Sequence, residues 1–278
     1  MTAEGRKWIT ALPEELAGQR RLLAGLLDLC EADQRIRWLA LGCSLSRGAG
    51  DRLSDVDAAM GVSDADFDAA VPVVRTAVDG LGQLVDSYHH LLPGSRTPGE
   101  RIFAQFADRC QVDLVVLPAS AGRGLVPRIV VLYDPDGLVE VSEGTQPPGP
   151  QQLREWAFGG WCALADLGKY LRRGSAWEAL ARLTEARAFL CQLHAASLGV
   201  PDPQYGVTSL LDFAADRMPA GLEGTVADLE PRQLLAAAMH TATMLTETAE
   251  QLTAEQRTML PSAMATYITA DLAELGRQ

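Results

Sequence analysis

The chain has 278 residues, of which 47% are hydrophobic and 22% charged, a composition typical of a globular protein with a sizeable core. Its formal net charge of −12 argues against a nucleic-acid partner, because duplex-binding proteins carry a basic face. That charge would attract a cationic small molecule, although solubility alone is the commoner reason for an acidic surface. No apolar run reaches the roughly 18–20 residues of a membrane span, so we expect no membrane partner. Residues 1–13 lack a signal-peptide pattern, and the cysteines form no close pair. We therefore expect a cytoplasmic protein.

Helical spacing and short apolar runs alternate along the first third of the chain. Leucines recur at helical spacing over residues 14–32, and the apolar run at 36–41 predicts a buried strand. A glycine-rich stretch over 42–50 leads to a second predicted strand at 56–62. Residues 64–81 then predict a helix.

Further β-rich runs follow at residues 83–92, 101–107, 111–117 and 129–133. The segment 93–99 is rich in proline and glycine and predicts the turn between the first two of these strands.

The clearest linker is the segment 144–150, after which strand patterns disappear. Helical spacing continues to the end of the chain, with helices predicted over residues 151–173, 175–198, 206–217, 231–253 and 261–276. The predicted fold class is therefore α+β. Residues 1–147 form a domain with a mixed sheet and flanking helices, and residues 151–278 form an all-helical bundle domain.

The chemistry-bearing part of the sequence reads Leu41-Gly42-Cys43-Ser44-Leu45-Ser46-Arg47-Gly48, followed by Ser54-Asp55-Val56-Asp57. Asp55 and Asp57 are two residues apart in a predicted strand, so both carboxylates leave the same face. Two close carboxylates repel each other unless a cation neutralises them. Mg²⁺ is such a cation, because it takes one or two protein carboxylates together with phosphate oxygens. The small residues 42–44 allow a tight bend whose backbone amides, with the Ser44 hydroxyl, are suited to hold a phosphate.

These two motifs, eleven residues apart from Ser44 to Asp55, resemble those of the DNA polymerase β-like nucleotidyltransferase superfamily. The resemblance is to antibiotic-modifying members of the aminoglycoside and lincosamide type, which often read Gly-Ser-Leu-Ala-Arg-Gly and then Ser-Asp-x-Asp. Cys43 stands where those members usually have glycine. A cysteine does not freely adopt a positive φ, so the turn keeps the family geometry only if Gly42 takes over that role.

The superfamily places a third carboxylate on a neighbouring strand, and Asp113 within Gln111-Val112-Asp113-Leu114-Val115 matches it. A lone aspartate in an apolar strand is costly without a partner. Proximity to a metal pair explains its position, and satisfaction by backbone N–H groups is the alternative explanation.

The resemblance implies that Asp55, Asp57 and Asp113 are catalytic residues and the ligands of two Mg²⁺ ions, with Asp113 on the acceptor side. Gly42 and Ser44 would hold the phosphates of ATP or another NTP. Arg47 would add charge to that grip, or would form a surface salt bridge instead. In the helical domain Lys169 is the candidate for binding the triphosphate, with Arg172 and Arg173 as rivals, while a helix C-terminus also favours basic residues in solvent.

The implied function is transfer of a nucleoside monophosphate, AMP from ATP first among the candidates, to a hydroxyl group of a small molecule with release of pyrophosphate. An aminoglycoside-type antibiotic is the leading acceptor, which would make the protein an antibiotic-resistance enzyme. Two alternatives stay open. One is a nucleotidyltransferase that modifies proteins, as in toxin–antitoxin systems. The other is a degenerate nucleotide-binding regulatory protein, to which the cysteine at the glycine position draws attention.

Overall fold

The computed structural model describes residues 2–92, 99–125, 128–141 and 147–277. The chain divides into two compact units, Met1–Gly144 and Thr145–Gln278. The first contains a mixed sheet with helices, and the second is helical, so the predicted α+β fold class is confirmed. Residues 93–98 of the predicted turn and residues 144–146 of the predicted linker lie outside the described residues.

Six strands among the described residues form one sheet in the order β3-β4-β5-β2-β1-β6. They are β1 (Ile36–Leu41), β2 (Val56–Val62), β3 (Leu84–Leu91), β4 (Glu100–Phe106), β5 (Gln111–Pro118) and β6 (Val130–Tyr133). Each was predicted to within one residue at either end. Strand β5 runs parallel to β2, and the other neighbouring strands are antiparallel.

One face of the sheet is covered by the helices of the first unit, and burial alternates along the strands accordingly. In β4 the side chains of Ile102, Ala104 and Phe106 are buried, while those between them are not. The same helix-covered face packs against leucines and valines of α2 (Ala17–Ala32) and α4 (Phe67–Asp79). Burial of this apolar face at about 25 cal/mol per Å² holds the sheet and helices together.

Two short helices complete the first unit. Helix α1 (Thr2–Ala11) contacts β6 and was not predicted from the sequence. Helix α3 (Cys43–Ser46) is a single turn directly after β1, inside the stretch expected to be a glycine-rich bend.

The opposite face of the sheet carries a small apolar cluster at its β1 end. Trp38 is fully buried there, and its indole N–H donates to the Ala119 carbonyl at 2.9 Å. Its ring lies against Gly61, the residue opposite it on β2, where an added Cβ would come within 2.0 Å of the indole. This end of the second face is therefore closed by packing, and the polar residues of the same face lie toward β5.

The helical unit contains α5 (Pro150–Arg172), α6 (Ala176–Ser197), α7 (Val207–Ala214), α8 (Pro231–Gln251), the short α9 (Ala254–Arg257) and α10 (Ser262–Leu275). Its core is built from buried residues of α5, α6, α8 and α10, including Trp156 and Trp161. Both tryptophans therefore pack in the interior of the helical unit. None of the helices in the described part of the chain combines the length and hydrophobicity needed to cross a lipid bilayer.

Candidate active site

Asp57 and Asp113 lie directly opposite each other on the parallel strands β2 and β5. Residues paired in this way project from the same face of a sheet with closely spaced Cβ atoms. Asp55 precedes the first residue of β2 and is two positions from Asp57, so its side chain leaves the same side. The fold thus brings together the three aspartates that the sequence pointed to, although 56 residues separate the two partners Asp57 and Asp113 along the chain.

The carboxylates of this cluster repel one another. Burial, and then the negative charge of Asp113, raise the pKa of Asp57 above its ordinary value. The same two causes in the same order raise the pKa of Asp55. A raised carboxyl pKa means that the charged form is poorly stabilised, because desolvation and like charge both disfavour it. The site therefore holds more negative charge than the protein itself neutralises.

Arg101 on β4 is the principal basic partner of the cluster. Its Nε donates to one oxygen of Asp113 at 2.6 Å, and a terminal N–H donates to the other oxygen in a two-pronged ion pair. This bond to Asp113 raises the pKa of the guanidinium. The Asp113 side chain is only 13% exposed, whereas that of Arg101 is 47% exposed. The alternative in which backbone N–H groups satisfy Asp113 is therefore wrong, because a side chain from the next strand does so.

Among the described residues, no three His, Cys, Asp or Glu side chains are arranged to hold a metal ion. The ion pair gives a physical reason, because both oxygens of Asp113 are turned toward Arg101. Gln111 lies on the other side of the cluster. With its amide nitrogen facing Asp55, it donates to a carboxylate oxygen of that residue at 2.6 Å. The assignment of these aspartates as metal ligands stays a prediction.

The turn after β1 places Ser44 beside β2. The Gly42 amide donates to the Asp57 carbonyl at 2.8 Å, which fixes the start of the turn to the strand that carries the aspartate pair. The Ser44 carbonyl accepts from the amides of Arg47 and Ala49 at 3.2 and 3.0 Å and so closes the turn. The Ser44 hydroxyl has no protein partner in the described part of the chain. The turn that carries it is held against β2, the strand of Asp57.

Cys43 takes the left-handed conformation in this turn, with a φ of 54°. Gly42 does not take over the glycine role, since it is extended at φ −117° and ψ −168°. A left-handed conformation costs a non-glycine residue about 1–2 kcal/mol. The chain therefore keeps the geometry of the turn with a strained cysteine.

The Cys43 thiol is turned toward the cluster although the residue as a whole is exposed. Burial of the sulfur and the neighbouring Asp57 charge raise the pKa of the thiol to about 11. The protonated thiol donates a hydrogen bond to the Asp57 carboxylate, which partly offsets the causes that raise the pKa of Asp57. Cys43 is therefore a neutral hydrogen-bond donor in the site at neutral pH, not a reactive thiolate.

The loop between the Ser44 turn and Asp55 is held by the buried side chain of Gln19. This glutamine of α2 is 2% exposed, and its amide donates to the Ser54 carbonyl at 2.8 Å and to the Asp51 carbonyl at 3.5 Å. Within the loop the Asp51 carboxylate accepts from the Leu53 amide at 2.8 Å. The position of Asp55 thus depends on a residue outside both motifs.

The two basic candidates lie in different units. Arg47 caps the C-terminal end of α3, and its charge opposes the increase in the pKa of the Cys43 thiol, so it lies near the cluster. Lys169 belongs to α5 of the helical unit, where its ammonium group pairs with Asp166 and lies 5.2 Å from the ring centroid of Tyr170. Its rivals also have local partners, because Arg172 pairs with Asp271 and Arg173 lies over Tyr170. The nucleotide-binding role of these residues stays a prediction.

Sequence reasoning missed Arg101, Gln111 and Gln19. The sequence does give an indication of Arg101 and Gln111. Polar and apolar residues alternate in both strands, and these two side chains lie on the same face as Asp113. Which charged residue would face Asp113 depends on the pairing of β4 with β5, which alternation alone does not determine. For Gln19 the only indication was one polar residue within the apolar stripe of α2.

No protein-family model matches the chain, and no curated protein matches it either. Among solved structures it is similar to an aminoglycoside 6-adenyltransferase from Bacillus subtilis, at 15% sequence identity and a TM-score of 0.42. The similarity covers 91% of this chain and 97% of that one. A likeness of this degree assigns neither a family nor a residue role.

Proposed function

We propose that the protein is a nucleotidyltransferase that transfers AMP from ATP to a hydroxyl group of a small cationic molecule and releases pyrophosphate. The observation that carries the proposal is the pairing of Asp57 with Asp113 on adjacent parallel strands, beside the turn that carries Ser44. An acidic cluster next to a free hydroxyl on a rigid turn suits a reaction in which phosphate oxygens meet a cation.

The phosphates of the nucleotide would bind on the β1 side of the cluster. The Ser44 turn follows β1, and the Gly42–Asp57 backbone bond holds it against β2. A hydroxyl donor at this position can bind a phosphate oxygen and bring the reacting phosphorus next to Asp57. Arg47, at the end of the same turn, would add positive charge for the outer phosphates.

The residues present fit a bound Mg²⁺ in donor chemistry and in charge. Carboxylate oxygens are the ligands this hard cation prefers, and burial together with like charge raises the pKa of both Asp55 and Asp57. The ion would be held by Asp55, Asp57 and Asp113. Arg101 is half-exposed, so it can turn toward solvent and release one oxygen of Asp113 for the ion. When bound, the metal would neutralise phosphate charge and align the attacking and leaving oxygens.

The acceptor hydroxyl would approach from the β5 side, where Asp113 lies. An ionised carboxylate there can accept a hydrogen bond from the hydroxyl and take its proton as the new bond to phosphorus forms. A net charge of −12 favours an acceptor that carries amino groups, because the protein surface attracts cations. An aminoglycoside-type antibiotic meets both requirements, since it offers many hydroxyl groups and several ammonium groups.

The test is pyrophosphate release from ATP with Mg²⁺ and a panel of hydroxylated acceptors, in the wild type and in Asp57→Asn. This substitution keeps the size of the side chain and its ability to accept from Cys43 but removes the charge. We expect it to reduce turnover by at least about 100-fold, a loss of about 2.7 kcal/mol in transition-state stabilisation. Asp28→Asn, which changes an exposed carboxylate of α2, should leave turnover unchanged.

The two rival functions give different results in the same assay. Label from ATP that appears in protein and in no small acceptor would identify a protein-modifying enzyme. Binding of ATP without turnover on the whole panel would identify a regulatory nucleotide-binding protein. Full turnover in Asp57→Asn would contradict any role of the aspartate cluster in the chemistry.

A further inference from the structure

A single line of side chains crosses four strands of the sheet from the aspartate cluster to the edge. Tyr88 on β3 lies opposite Phe103 on β4, Phe103 lies opposite Asp113 on β5, and Asp113 lies opposite Asp57 on β2. Residues paired in this way project from the same face. Neighbouring strands are about 4.8 Å apart, so Phe103 lies about 5 Å from Asp113 along the sheet and Tyr88 lies about 10 Å from it.

This aromatic end of the face carries an exposed ring. Tyr88 is 65% exposed, and Phe103 is half-buried. The β1 end of the same face is closed instead by the packed indole of Trp38. Tyrosine combines a large apolar surface with a polar hydroxyl, which makes exposed tyrosines frequent at binding surfaces.

Polar groups lie along one side of this line. The ring of His90, the residue two positions after Tyr88, lies 5.4 Å from the Tyr88 ring at an interplanar angle of 31°. His90 Nδ1 is buried and has no hydrogen-bond partner in the described part of the chain. Arg101 lies opposite His90 and binds Asp113. A molecule lying on the two aromatic rings would therefore meet the half-exposed guanidinium of Arg101 at its rim.

The strand order assigns this surface to one of the two substrates. The Ser44 turn follows β1, on one side of β2, whereas Asp113, Phe103 and Tyr88 follow in sequence on the other side. Phosphates held at Ser44 leave the β5–β4–β3 side to the acceptor. The aromatic line therefore lies where the body of the acceptor would be when its hydroxyl is at Asp113.

We propose that Tyr88 and Phe103 form a stacking surface for the acceptor and select a hydroxylated ring, a sugar or cyclitol bearing amino groups. This proposal rests on the proposed function. The face of an aromatic ring carries partial negative charge, so it attracts the C–H face of a sugar ring. An ammonium group on that ring gains a further cation–π attraction, and the acidic cluster beside it adds to the selection for a cation.

The test uses kanamycin and 2-deoxystreptamine as ring probes, with ATP as the second ligand, and measures each affinity separately by calorimetry or saturation-transfer NMR. Tyr88→Ala and Phe103→Leu remove the rings, the leucine keeping the bulk of a half-buried residue. We expect each to weaken binding of the ring probes about tenfold, with little change for ATP. Tyr88→Phe, which keeps the ring, should bind within about twofold of the wild type.

Leu91→Ala is the matched control. It removes a side chain that is 73% exposed from the same strand, at a position opposite Glu100 and therefore on the other face of the sheet. We expect it to bind both ligands as the wild type does.

The remaining outcomes would exclude either the stacking surface or the nucleotidyltransferase activity, and they distinguish the two. Loss of ATP affinity with unchanged ring-probe affinity would assign the surface to the nucleobase and overturn the proposal. A wild type that binds neither ring probe would also overturn it, whatever its affinity for ATP. Ring-probe binding that depends on Tyr88 in a protein without ATP binding would support the surface and refute the nucleotidyltransferase.

Discussion

At the scale of single residues, the feature that separates this site from the motif it resembles is the backbone of Cys43. The turn needs a left-handed residue, and the chain supplies a cysteine with a φ of 54° where glycine would be unstrained. The thiol also donates a hydrogen bond to Asp57. The position therefore combines a backbone cost with a side-chain contact, and substitutions can separate the two.

We predict that Cys43→Gly is more stable than Cys43→Ala by about 1 kcal/mol. Both variants lose the thiol and its bond to Asp57, but only glycine adopts a positive φ without strain. The measurement is the free energy of unfolding from urea denaturation. Equal stabilities, or a more stable alanine variant, would show that residue 43 is not left-handed.

Arg101 is the second residue with a testable role, because it supplies a positive charge at the position where a metal would lie. We predict that Arg101→Gln raises the affinity for Mn²⁺, a hard probe for Mg²⁺, about fivefold by removing a competing charge about 4 Å away. The affinity can be measured by electron paramagnetic resonance of free Mn²⁺.

Arg37→Gln provides the control for that measurement. It breaks an ion pair of similar exposure, with Asp136, away from the cluster, and should leave Mn²⁺ affinity unchanged. An Arg101→Gln variant that binds Mn²⁺ no better than the wild type would show that Arg101 does not compete with the metal for Asp113.

At the scale of elements, the position of Asp55 depends on the loop between α3 and β2 and on its attachment to α2. Gln19 provides that attachment with two bonds to backbone carbonyls. The strands themselves were predictable, because apolar runs and alternation gave each boundary within one residue. The loop attachment was not, because it joins residues 19 and 54 through a fold that one sequence does not specify.

We predict that Gln19→Leu lowers the free energy of unfolding by about 2 kcal/mol and speeds hydrogen exchange at the amides of Ser54 and Leu53. The leucine fills the space but leaves the two carbonyls without their donor. The same substitution at exposed Gln34 should change stability by less than about 0.5 kcal/mol. Unchanged exchange in the loop would mean that Gln19 does not hold it.

The pairing of strands shows most clearly where prediction from sequence ends. Asp55 and Asp57 were placed on one face by their spacing alone. Asp113 lies opposite Asp57 because of the parallel register of β5 on β2. Arg101 binds Asp113 because β4 is the neighbour of β5 on its other side. Register is set by the packing of the whole sheet, so residues that act across strands emerge only with the fold.

At the scale of the whole molecule, the net charge of −12 favours a cationic acceptor in the proposed reaction. The first unit contains the aspartate cluster, the Ser44 turn and the aromatic line within one sheet. The helical unit has its own core and contains the basic residues of α5, whose charges are engaged with neighbours in that unit. The chemistry proposed here therefore depends first on the sheet.

The most direct test follows the phosphorus atoms of ATP. The protein is incubated with Mg²⁺, kanamycin and other amino-bearing hydroxylated acceptors, and ATP labelled at either the α- or the γ-phosphate. We predict that the α-label moves to the acceptor and the γ-label to pyrophosphate, in the wild type and not in Asp57→Asn. Transfer of the γ-label to the acceptor, or no transfer of either label to any acceptor, would contradict the proposed transfer of AMP to a small molecule.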